Sequence, residues 1–127
     1  MQGICWDEQR GSRLHRILIW GVPFAALIGL NFTAELLQPN ERVEIAAVLF
    51  LWMGAACSLN ALRCRRLHCM IAGPAFLIGS ALFAMVAFGL ADFGKHGPSV
   101  IIWVTFGVVA GSFIAERIAG KYWRRPA

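Results

Sequence analysis

The chain has 127 residues, of which 58% are hydrophobic and 15% charged, and its mean hydropathy is +0.62. Soluble domains are about half apolar and a quarter charged, so this composition argues against a water-soluble fold and for one membrane domain, residues 1–127. The net charge of +5 sits in short basic segments between apolar runs, which is the pattern of membrane topology and not the footprint of a nucleic-acid partner.

Taken in order, a polar segment ending in Arg10, Arg13, His15 and Arg16 precedes an apolar run over 17–37. That run is longer than a signal-peptide core and is expected to be the first span, with Pro23 bending it. Gln38-Pro39-Asn40-Glu41-Arg42 reads as a turn, because proline cannot continue a helix. A second span is expected over 43–62, where Gly54 and Ser58, four apart, offer a small face to a neighbouring helix. The third run, 70–90, carries Gly73-Pro74, which would either start the helix or kink it. Residues 91–98 are rich in helix breakers. The fourth run, 99–115, holds Gly107 and Gly111 in G-x-x-x-G spacing, expected to serve packing within the bundle, with dimerisation as the alternative. Lys121-Tyr122-Trp123-Arg124-Arg125 reads as an interfacial anchor. The expected fold is all-α, a polytopic membrane protein with four transmembrane helices in an up-down bundle.

The basic residues set the orientation. Arg10, Arg13 and Arg16, then Arg63, Arg65 and Arg66, then Arg117, Lys121, Arg124 and Arg125 flank one side, against Arg42 and Lys95 on the other. The positive-inside rule then places both termini and the middle loop in the cytoplasm, in a cell inner membrane, with Arg63, Arg65 and Arg66 at anionic lipid headgroups.

The middle loop also concentrates soft ligands. Cys64 and His68 are four apart, so a continuous helix would put them on one face, and Cys69 could join them if the helix broke after His68. Cys57 lies seven residues before Cys64, about 10 Å along a helix, and is expected only as a second station deeper in the bilayer. Two thiolates and an imidazole suit copper, zinc or mercury, with a fourth ligand left to Cys5, His15, water or a second copy. The spacing of the four cysteines is unlike a secreted disulfide framework, and the assigned topology puts all of them in or near the cytoplasmic half, where reduced thiols are expected. The neighbouring arginines would also favour thiolates, which makes a thiol redox sensor the competing expectation. Glu35, Asp92 and Glu116 fall at helix ends, no catalytic arrangement is evident, and the chain is not expected to be an enzyme.

From Asn60 to Gly79 the chain resembles a group of small prokaryotic multi-span membrane proteins with an N-A-x-R-C-x-R-x-H-C-x-x-x-G-P-x-F-L signature, and Glu116-Arg117 to Gly120-Lys121-Tyr122 looks like the end of that group. The resemblance implies a membrane protein and brings no activity with it. A looser similarity is to small mercuric-ion transport proteins, whose adjacent cysteine pairs and first-helix cysteine are missing here. The expected function is therefore binding, and transport or hand-over, of a soft metal ion at Cys64, His68 and Cys69. The alternatives are a thiol redox sensor and an accessory subunit of a membrane complex or a homo-oligomer.

Overall fold

The computed structural model describes residues 13–33 and 35–120, without the side chains of His15 and Arg16. Cys5, Arg10 and the anchor from Lys121 to Arg125 lie outside the described residues. Those described are helical, with no strand among them: α1 (Arg13–Arg16), a π-helical turn (Ile17–Gly21), α2 (Val22–Phe32), α3 (Pro39–Cys64), α4 (Leu67–Ala87) and α5 (Gly97–Ala119). Three of these, α3, α4 and α5, are long and apolar enough to cross a membrane.

The fourth expected span is not clearly present. The apolar stretch Ile17–Phe32 is shorter than the other three. At 1.5 Å per residue it reaches about 24 Å, short of the roughly 30 Å hydrocarbon core. Pro23 shapes this stretch, because its nitrogen cannot donate to Ile19 and its ring crowds that carbonyl. The chain before it widens into the π-helical turn, and Pro23 itself is buried at the start of α2.

Two prolines expected to close turns begin helices instead. Pro39 is at the start of α3, where its missing N–H would have had no helical partner anyway. Gln38 caps that end through a capping box, its backbone N–H donating to Glu41 Oε2 at 3.1 Å. Pro98 is the second residue of α5, likewise in the first turn, where no helical partner for an N–H is due. Pro74 lies inside α4, which already begins at Leu67.

The antiparallel hairpin of α3 and α4 is the core of the protein, and α5 packs antiparallel on α4. Small residues set the first seam: a Cβ at Gly54 would come within 2.9 Å of the Leu77 side chain, and one at Gly73 within 2.6 Å of Ser58 Oγ and 3.1 Å of Ser58 N. Ser80 Oγ donates across the seam to the Ala47 carbonyl at 2.8 Å. Gly73→Ala is expected to cost about 1–3 kcal/mol, since the obstruction includes backbone that cannot move aside. Thermal unfolding in detergent checks this, and an unchanged midpoint would contradict it. Deeper in the bundle, Phe50 meets Phe76, Phe83 and Phe106 edge to face, at ring-centroid distances of 5.4, 5.1 and 6.2 Å.

Gly107 and Gly111, expected to pack within the bundle, are both exposed, and among the described residues a Cβ on either would meet no neighbouring atom within 4 Å. They lie on the outer side of α5, whose Trp103 is 77% exposed. The close approaches between helices fall instead to Gly54, Gly73 and Gly79, while α5 turns its Ile101, Thr105 and Ser112 inward.

Candidate functional site: a cysteine–histidine–glutamate relay

The site lies where α3 hands over to α4. The helix breaks before His68 and not after it: α3 ends at Cys64, Arg65 is left-handed at φ 51° and ψ 32°, and α4 starts at Leu67. Arg65 is the one non-glycine residue with positive φ among those described. Cys64 and His68 are therefore on different helices, and the one-face argument from their spacing does not apply. The break folds α4 back along α3, which brings Cys69 to the upstream residues Cys57 and Asn60.

Cys69 is fully buried and touched from three sides. Its Sγ lies 3.2 Å from His68 Nε2, Asn60 Nδ2 donates to it at 3.2 Å, and its thiol interacts directly with that of Cys57 across the α3–α4 seam. Both thiols are free. Cys57, expected only as a separate station, is thus the immediate neighbour of Cys69. The 10 Å separation along α3 holds between Cys57 and Cys64, but the fold pairs Cys57 with the next helix.

Cys64 differs from its expected role. It is engaged in a disulfide, so its sulfur is not a thiolate donor for an ion, and not all cysteines are reduced. Its Sγ contacts Asn60 Oδ1 at 3.3 Å, so the Asn60 amide touches sulfur on both sides. Among the described residues, no group of three or more His, Cys, Asp or Glu side chains is arranged to hold a metal ion.

His68 is oriented by α5. Its Nδ1 makes a short hydrogen bond to Glu116 Oε2, and its ring stacks on Phe113 with centroids 4.7 Å apart and planes 18° from parallel. A carboxylate can only accept, so the proton sits on Nδ1 and the Nε2 lone pair faces the Cys69 thiol. Arg66 holds the other carboxylate oxygen, Nη2 to Oε1 at 3.8 Å, and the Arg66 and Glu116 side chains are 14% and 13% exposed. Arg66 thus reaches Glu116, while Arg63 and Arg65 are exposed. Nucleophile, base and orienting carboxylate in this order form the arrangement that activates a thiol. From the sequence, Glu116 was expected at a helix end with no link to His68, and Asn60 and Phe113 had no expected role. An up-down bundle does carry the signal for Glu116, since the end of α5 and the start of α4 lie at the same level.

A cavity of about 980 Å³ opens onto the relay, with Cys57, Cys69, His68 and Glu116 in its wall and Trp20, Phe76 and Phe106 farther in. Comparisons with protein-family models, with curated proteins and with solved structures find no match.

Proposed function

We propose that this is a membrane thiol redox protein, in which Cys69 is the reacting thiol, His68 its base, Glu116 the group orienting that base, and Cys57 the resolving thiol. The observation that supports it is the His68 Nε2 to Cys69 Sγ contact of 3.2 Å beside a second free thiol. His68 takes the Cys69 proton, and the thiolate attacks a disulfide RS–SR, breaking its S–S bond and releasing one RSH. Cys57 then attacks the mixed disulfide, forming Cys57–Cys69 and releasing the second RSH. Asn60 Nδ2–H stabilises negative charge on Cys69 sulfur before attack.

The setting proposed is a cell inner membrane with both termini and the relay at the cytoplasmic side, supported by the distribution of basic residues. Arg63 and Arg65 then meet anionic headgroups. Cytoplasmic low-molecular-weight disulfides are the natural reactants, and the protein reports or buffers their level as a sensor without needing to be an enzyme.

Treating reduced protein with a small disulfide tests this. The expected product is a Cys57–Cys69 disulfide by peptide mass mapping, with Cys57→Ser stopping at a mixed disulfide on Cys69. A Cys69 that stays unmodified in both proteins would sink the reading. A second reading, soft-metal binding and hand-over, draws support from the same adjacency of two thiols and an imidazole, now as a two-coordinate Cys57/Cys69 site for copper(I) or mercury(II). One tightly bound equivalent, lost in Cys57→Ser, would favour it. The accessory-subunit reading rests on the exposed Gly107/Gly111 side of α5.

A further inference from the structure

The cavity beside the thiols has a lining that changes character along its length. Arg66, Glu116 and Arg117 lie at one end, and Phe106, ten residues of α5 below Glu116, lies about 15 Å deeper. Five of its wall residues are aromatic, Trp20, Phe24, Phe76, Phe106 and Phe113, drawn from α2, α4, α5 and the π-helical turn. Its volume of about 980 Å³ is at the upper end of small-ligand pockets, and its walls come from helices that face lipid on their other sides. A flat, apolar ring with a polar edge fits such a space: the ring between aromatic faces, the edge toward the Asn60 amide and the His68 imidazole.

Two features go beyond what an acyl chain would need. Both free thiols line the cavity, buried just behind its surface, so an occupant lies beside a dithiol. The same wall holds His68 and Glu116, which can carry the protons that a dithiol loses on oxidation. Resting on the thiol-redox reading above, we infer that this cavity is the site of a membrane quinone that accepts two electrons from the Cys57/Cys69 pair.

The chemistry balances. The Cys69 thiolate adds to the quinone ring, Cys57 attacks the Cys69 sulfur, the S–S bond forms as the S–C bond breaks, and the electron pair leaves on the ring. The two thiol protons end on the two ring oxygens, giving hydroquinone and the Cys57–Cys69 disulfide. Two cytoplasmic thiols then regenerate the dithiol by exchange and leave as one disulfide. The protein would thereby pass electrons from cytoplasmic thiols to the quinone pool.

The test uses the full chain in detergent with a short-chain benzoquinone as probe. Trp20 reports occupancy, because a quinone within the cavity quenches its fluorescence. Expected are saturable quenching that Trp20→Phe removes, and loss of one equivalent of quinone absorbance per Cys57–Cys69 disulfide formed. Cys57→Ser/Cys69→Ser should still bind but not reduce the probe. Ala110→Phe, which fills the cavity from the less buried side of α5, should weaken binding by about tenfold or more while leaving exchange with a small disulfide intact. Absence of saturable quenching, quenching indifferent to Ala110→Phe, or displacement of the probe by phospholipid alone would overturn the inference. So would a bound quinone that stays oxidised while the dithiol still exchanges with small disulfides. Failure of that exchange as well would instead remove the thiol-redox reading itself.

Discussion

Replacing His68 with alanine is expected to slow disulfide exchange at Cys69 by about 10²-fold at neutral pH, the contribution typical of a positioned general base. The expectation follows from the single approach of Nε2 to Cys69 Sγ at 3.2 Å and from the absence of another His, Asp or Glu among the described residues in contact with that sulfur. Glu116→Gln should act in the same direction with a smaller effect. A neutral amide still accepts from Nδ1, but it no longer stabilises the imidazolium formed when His68 takes the thiol proton. Stopped-flow exchange with a small aromatic disulfide measures both rates. Added imidazole should restore part of the His68→Ala rate, since the cavity beside the vacated position is large enough to admit it. Rates unchanged in both variants would show that Cys69 reacts without its neighbours.

The largest loss of stability is expected for Phe50→Ala. Phe50 is fully buried, meets three other phenyl rings edge to face, and lies against Gly79, where a Cβ would come within 2.8 Å of its ring. In lipid the transfer from water no longer contributes, so the cost is the lost dispersion and ring contacts together with the cavity left behind. That places it near the low end of the range for Phe→Ala in protein cores, about 3 kcal/mol. Denaturant unfolding of the detergent-solubilised protein should show a correspondingly lower midpoint, with Phe50→Leu losing less. A variant as stable as the wild type would mean that α3, α4 and α5 are held together elsewhere.

Disulfide exchange at Cys69 and unfolding of Phe50→Ala report on different parts of the same hairpin. Phe50 and Phe76 align the middle of α3 with α4, and that register decides which residues meet at the basic end. The Gly73 approach to Ser58 lies between them, one turn of α4 from Cys69. Overpacking there would move Cys69 relative to Cys57 and Asn60, so a stability defect and a slower exchange rate should appear together in Gly73→Ala.

The sequence by itself determined that the chain is helical with spans apolar enough for a membrane, and roughly where α3, α4 and α5 lie. Runs of apolar residues long enough for α3, α4 and α5 declare themselves through composition, and Gly54 and Ser58 marked in advance the face on which α3 meets α4. Hydrophobicity pointed to a first span over 17–37, whereas the apolar helical part of that run, Ile17–Phe32, is shorter than α3, α4 and α5. It also did not locate the helix ends. Pro39 and Pro98 look like breakers in isolation, and only the turn before each shows that the missing N–H falls where no helical partner was due.

The candidate site was legible as a neighbourhood and not as a constellation. His68 and Cys69 stood out by residue type, but spacing along one chain paired Cys64 with His68 and set Cys57 aside. Tertiary structure decided otherwise because a left-handed residue at Arg65 ends α3 and reverses the chain within two residues, so distance along a helix no longer measures distance in space. That reversal puts Cys57 beside Cys69, and the packing of α5 adds Glu116, 48 residues away in sequence, to the far side of His68. No local pattern in the chain encodes a contact of that separation. It follows from antiparallel helices returning to the same end of the bundle.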